Sequence, residues 1–104
     1  MKFSVNQSEL QNALSVVVKG SSSRSTLSIL AGVYLKAEDG RITLQTTNLE
    51  LSIKVTCFAM VEEPGETVVP AKLFGDIIKN LPDMAVRVEA DETTATVFCD
   101  STTF

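Results

Sequence analysis

The sequence predicts an α+β domain made of two strand-helix-hairpin units, its two helices packed on antiparallel sheet. Three observations carry the prediction. A helix-period apolar pattern occurs twice: shifted by 64 positions, Val5, Leu10, Ala13, Leu14 and Val17 fall on Val69, Phe74, Ile77, Ile78 and Leu81. A strand-period pattern follows each helix: shifted by 53, Val33, Leu35, Ala37, Ile42 and Leu44 fall on Val86, Val88, Ala90, Ala95 and Val97. The two shifts differ by 11 residues, and this excess lies in the stretch from Lys19 to Gly32 of the first unit. A connection longer than the local norm tends to be functional or disordered.

Element by element, Lys2 to Asn6 reads as a short strand with Phe3 and Val5 on one face. Asn6 suits a helix N-cap, and Glu9, three residues on, completes a capping-box pattern. Leu10, Ala13, Leu14 and Val17 then keep the i, i+3, i+4, i+7 spacing of a one-sided helix, with Lys19 suited to its negative end and Gly20 to a left-handed stop. Val33 to Ala37 and Arg41 to Thr46 alternate around Asp39-Gly40, a pair that accepts the positive φ angles of a tight hairpin turn. Leu51 to Ala59 is a third alternating strand, and Pro64-Gly65 fits a type II turn at the end of the first unit.

Thr67 to Val69 opens the second unit. Pro70 stands where proline is harmless, at a helix start. Leu73, Phe74, Ile77, Ile78 and Leu81 form the second amphipathic helix, which stops before Pro82. Gly75 inside it costs about 1 kcal/mol relative to alanine, so a close packing contact is expected there. Val86 to Ala90 and Ala95 to Cys99 make the second hairpin. By analogy with Leu51 to Ala59 a last strand follows near Phe104, so the fold is expected to be truncated in that strand.

The 104 residues suit one small domain, with apolar and charged contents of 44% and 21% that are ordinary for a globular protein. No apolar run approaches the ~18 residues of a membrane span, and no signal-peptide pattern opens the chain, so a cytoplasmic protein without membrane association is expected. Cys57 and Cys99 lack the spacing of a zinc or redox pair and read as buried free thiols. The absence of histidine removes the commonest general base and metal ligand. No phosphate-binding glycine loop or nucleophile elbow stands in for it, so neither catalysis, a metal nor a cofactor is expected.

The net charge of −4 speaks against nucleic acid, but its distribution does not. The two helices and the long loop hold Lys19, Arg24, Lys72 and Lys79 against Glu9 and Asp76, a balance of +2 that leaves −6 elsewhere. Such segregation gives an acidic protein one face that tolerates phosphate, although scattered solubilising charge fits the same counts.

Five segments in one order resemble a known family: Met1-Lys2-Phe3, the loop from Ser23 to Leu30, Asn48-Leu49-Glu50-Leu51, Val69-Pro70-Ala71 and Leu81-Pro82. They are similar to the first domain of the bacterial sliding clamp, the β subunit of DNA polymerase III, over essentially the whole chain. The resemblance implies a processivity-fold domain, with residues 1–104 the N-terminal one of three and incomplete at its C-terminal end. Two subunits of that family close head to tail into a homodimeric ring that encircles duplex DNA without reading sequence. The ring tethers the replicative polymerase, is opened by a clamp loader, and catalyses nothing.

Residue by residue, the resemblance implies that Arg24, Lys72 and Lys79 face DNA, and that Phe104 and Ile77 stand near the subunit contact. Either lysine equally suits a solvated helix face, and Ile77 equally suits the core. Departures from the family pattern are Ser25 and Ser28 in place of proline, Asn48 in place of aspartate, and Asp100-Ser101-Thr102-Thr103-Phe104 in place of an arginine-bearing segment. The family's pocket for polymerase and repair peptides belongs to its third domain. The alternative from another class is a stand-alone α+β interaction or regulatory domain without a DNA role.

Overall fold

The structure, a computed structural model, describes residues 1–20, 32–47, 52–91, 94–99 and 102–103. Arg24, Phe104 and the segment Asn48-Leu49-Glu50-Leu51 therefore lie outside the described residues.

The chain runs β1 (Lys2–Asn6), α1 (Gln7–Val17), β2 (Gly32–Glu38), β3 (Arg41–Thr47), β4 (Ser52–Phe58), β5 (Met60–Glu63), β6 (Gly65–Pro70), α2 (Ala71–Lys79), β7 (Ala85–Ala90), β8 (Ala95–Cys99) and β9 (Thr102–Thr103). The strands form two antiparallel sheets, β5-β1-β7-β8-β9 and β4-β3-β2-β6. The internal repeat is real down to register. Leu35 faces Leu44 and Ala37 faces Ile42 in the first hairpin, and Val88 faces Val97 and Ala90 faces Ala95 in the second.

The units are nevertheless not self-contained. β1, the opening strand of the first unit, pairs with β7 of the second, while β6, which opens the second, pairs with β2 of the first. Each unit places its first strand in the other's sheet, so neither sheet forms without both halves. β9 pairs with β8 at Thr102 and Thr103, flanking the second hairpin as β4 flanks the first, though a little earlier in the chain than the shift of 53 places it.

Alternation turns one face of each sheet inward: Phe3, Val5, Val86, Val88, Val97 and Cys99 from one, and Val33, Leu35, Ala37, Ile42, Leu44 and Val69 from the other. Leu10, Ala13, Leu14 and Val17 of α1 join the same core, with Ala71, Phe74 and Ile78 of α2 and Leu81 just beyond it. The two helices pack on each other, α1 over β3 and β4 and α2 over β2 and β6. No buried side-chain nitrogen or oxygen among the described residues lacks a hydrogen-bond partner.

Several local expectations are corrected. The Asn6 carboxamide caps α1 through Ser8, whose backbone N–H donates to Oδ1 at 3.0 Å, so the cap closes on the second helical residue and not on Glu9. α1 ends at Val17 and tightens into a 3-10 turn, Val18–Gly20, with no left-handed cap. The Thr46 hydroxyl satisfies the Val17 carbonyl at this end. Asp39 and Gly40 do take the expected turn, with φ of 51° and 73°.

Pro64-Gly65 is not a type II turn, because Gly65 has no positive φ. The chain passes there from one sheet to the other. Gly65 is small for a different reason: a Cβ on it would stand 3.0 Å from the Met1 Cβ. Among the described residues nothing lies within 4 Å of a Cβ added at Gly75, so the close contact expected of it is not found there. Leu73 is 59% exposed and leaves the core stripe, which runs through Ala71, Phe74 and Ile78.

Candidate nucleic-acid interface on the helical layer

The two helices differ in what they offer. α1 shows solvent mostly uncharged side chains, whereas α2 carries Lys72, Asp76 and Lys79 on one face at i, i+4 and i+7 spacing. A groove of about 500 Å³ separates the helices. Gln11, Leu14, Ser15 and Val18 form its α1 wall, and Ala71, Lys72, Gly75, Asp76 and Lys79 its α2 wall. Alanine and glycine at positions 71 and 75 leave it open, and the lysines rise along its edge about 10 Å apart.

One buried polar side chain ties the two packed helices together. Gln7 donates from Nε2 to the Ile78 carbonyl at 2.8 Å and to Gln11 Oε1 at 3.0 Å, and its backbone N–H donates to the Met84 carbonyl at 3.0 Å. The start of α1 is thereby tied to the end of α2. Gln7 stands between Asn6 and the first core leucine, where its sequence position signals only an ordinary first-turn residue. Its partner, the Ile78 carbonyl, lies 71 positions away.

Three of the five sheet cations are paired with carboxylates. On the sheets, Arg87 holds Glu62 through both guanidinium amino groups, at 2.5 and 3.0 Å, and also contacts Glu89 at 3.4 Å. Lys2 reaches Glu89 at 3.7 Å, Lys36 reaches Glu38 at 3.4 Å, and the Met1 amine reaches Glu63 at 3.3 Å. Tyr34 donates to Glu66, and this hydrogen bond with the nearby charge holds the phenol above its ordinary pKa. Lys19, Lys72 and Lys79 make no ion pair among the described residues, and neither do Arg41 on β3 and Lys54 on β4. Exposed ion pairs contribute little stability, so the contrast matters for what the cations are free to meet.

Of the residues singled out from sequence, Lys72 and Lys79 are brought together on this groove, both exposed. Ile77 is half-buried on the flank of α2 and packs partly against the core. Leu73, one turn earlier, adds an exposed apolar side chain near it; read as core from its period, it was missed as a surface residue. Cys57 is half-buried and Cys99 buried, both free, and burial pushes the Cys57 thiol up, away from reactive thiolate. Among the described residues no cluster of three or more His, Cys, Asp or Glu side chains is placed to hold a metal ion, and no helix is long and apolar enough to cross a membrane.

Comparison with known proteins supplies the context for this arrangement. A family model described as the DNA polymerase III beta subunit, N-terminal domain, matches residues 1–104. The beta sliding clamp homolog GriR of Streptomyces muensis is 36% identical over 104 residues, and the beta sliding clamp of Streptomyces coelicolor is 35% identical over the same length. Both matches cover 100% of this chain and 28% of the relative. The beta sliding clamp of Escherichia coli is 38% identical over 96 residues, covering 88% of this chain and 26% of its own.

Among solved structures, the pol III beta of Caulobacter crescentus superposes with a TM-score of 0.95 at 28% identity, covering 100% of this chain and 28% of that one. A sliding clamp of Bartonella birtlesii superposes equally well at 30% identity, with the same coverage. The chain thus spans about 28% of the length of these curated relatives. With the full-length family match, the shared two-sheet fold and the paired helices all in agreement, the chain belongs to the DNA polymerase III beta-subunit family of bacterial sliding clamps, as its N-terminal domain.

Proposed function

We propose that this chain acts as the DNA-facing first domain of a dimeric ring that encircles duplex DNA and holds the replicative polymerase on its template in the bacterial cytoplasm. The observation that supports the reading best is the placement of Lys72 and Lys79, which make no ion pair among the described residues and stand together on an open groove of the helical layer, whereas three of the five sheet cations, Lys2, Lys36 and Arg87, are held by carboxylates. Phosphate contacts of this kind position a protein without reading bases. A ring that slides needs few of them, because each neutralised phosphate adds about −0.9 to the log-log salt slope on duplex DNA.

In this reading Lys72, Lys79 and Arg24 touch the phosphate backbone, and the protein is a non-catalytic accessory of the polymerase. Ile77 and Phe104 form the apolar contact with the neighbouring subunit, and the exposed Leu73, one turn from Ile77 on α2, extends it. A clamp loader opens and closes the ring. The protein, loaded by its cognate loader, is expected to stay on closed circular DNA through a high-salt wash and to leave when the circle is linearised. Equal retention on the two forms would mean ordinary binding and would end the ring reading. Charge reversal at Arg24 is expected to slow loading or weaken DNA contact with the fold intact; unchanged loading and affinity would remove that residue from the interface.

A further inference from the structure

We infer that Asp76 limits the grip of the α2 groove on the phosphate backbone, so that the two flanking lysines hold DNA loosely enough to move along it. The inference rests on the reading of Lys72 and Lys79 as phosphate contacts and goes one step further. Asp76 is the one carboxylate lining the groove among the described residues, and it stands between the two lysines, one helical turn from each. The facing wall is uncharged: Gln11, Leu14, Ser15 and Val18. The groove therefore presents +1, where its cations alone would present +2.

The carboxylate is not consumed locally. Among the described residues no salt bridge joins Asp76 to Lys72, four residues before it in the weaker order for such a pair, or to Lys79, three residues after it. Nor does its side chain cap anything among the described residues: at the neighbouring helix end it is the Asp76 carbonyl that is satisfied, by the Asn80 carboxamide donating to it at 2.8 Å. An exposed carboxylate at the edge of an open groove repels any phosphate that either lysine attracts. At separations near 8 Å in water that repulsion is worth about a 2-fold change in affinity per domain copy, less at high salt. A small effect of this kind sets sliding friction without altering ring closure.

The test compares Asp76→Asn with Glu9→Gln in the full-length protein loaded on DNA. Both variants remove one negative charge, but Glu9 lies in the first turn of α1 outside the groove. Asp76→Asn is expected to raise affinity about 2-fold per domain copy at low salt, to steepen the salt slope by up to about 0.9 per copy, and to slow one-dimensional diffusion, whereas Glu9→Gln changes none of these. Equal effects of the two variants, or no effect of Asp76→Asn, would overturn the inference. The double variant Lys72→Ala/Lys79→Ala separates the two failures. If it leaves DNA contact unchanged, the parent reading of the groove is wrong; if it weakens contact while Asp76→Asn does nothing, only the role of Asp76 is wrong.

Discussion

Helices α1 and α2 occupy equivalent positions in the repeat, yet they are built for different work. α1 runs for 11 residues, has a side-chain N-cap at Asn6, receives the Thr46 hydroxyl at its last carbonyl, and buries Leu10, Ala13, Leu14 and Val17. α2 runs for 9 residues, starts at Pro70 without a side-chain cap, carries Gly75 where nothing requires a glycine, and leaves Leu73 in solvent. Its buried set is reduced to Ala71, Phe74 and Ile78. One helix anchors the fold, and the other is held in place by it, chiefly through Gln7 and the shared core, while its outer face carries Lys72, Asp76 and Lys79. A duplicated fold thus lets one copy of an element keep the structure while the other serves a surface.

The sharpest way to break this comparison is to truncate one leucine on each helix. Leu10→Ala, from a position with 0% exposure, is expected to cost about 2–5 kcal/mol in urea unfolding, and Leu73→Ala to stay within about 0.5 kcal/mol of the parent. Similar losses from both would show that α2 is as deeply anchored as α1. Thr46→Val removes the hydroxyl that satisfies the Val17 carbonyl while keeping the side-chain shape, for an expected loss of about 1–2 kcal/mol. A neutral result would mean that water replaces that bond. Asn6→Ala, which deletes the cap on Ser8, is expected to cost about 1 kcal/mol. Last and smallest, Gly75→Ala is expected to raise the unfolding free energy by a little under about 1 kcal/mol, because the added methyl meets open space. Destabilisation there would reveal a contact that the empty groove does not show.

What was legible in the chain follows from where its information is local. The helix stripes and hairpin registers could be read because burial imposes a period of 3.6 or 2 on neighbouring residues, and the pairing of Leu35 with Leu44 and Val88 with Val97 bears out the repeat. The exchange of β1 and β6 between the sheets could not, because no local signal says which distant strand a short strand will join. Leu73 was misread because a nine-residue amphipathic helix with several apolar residues fits more than one stripe. The Pro64-Gly65 turn failed for a related reason: the glycine answers to Met1, more than sixty residues away, and not to its own φ. Lys72 and Lys79 were legible as exposed cations, whereas Asp76 and Gln7 gained meaning only when the groove and the second helix stood beside them.

The most direct test of the whole account is the double charge reversal Lys72→Glu/Lys79→Glu in the full-length protein, followed by urea unfolding and by DNA retention across a salt series. If α2 is the helix that meets DNA, the unfolding free energy stays within about 0.5 kcal/mol of the parent. The salt slope then flattens by about 1.8 per domain copy as two phosphate contacts are lost. An unchanged slope with an intact fold would contradict the account, since the free lysines of α2 would then face nothing that carries phosphate.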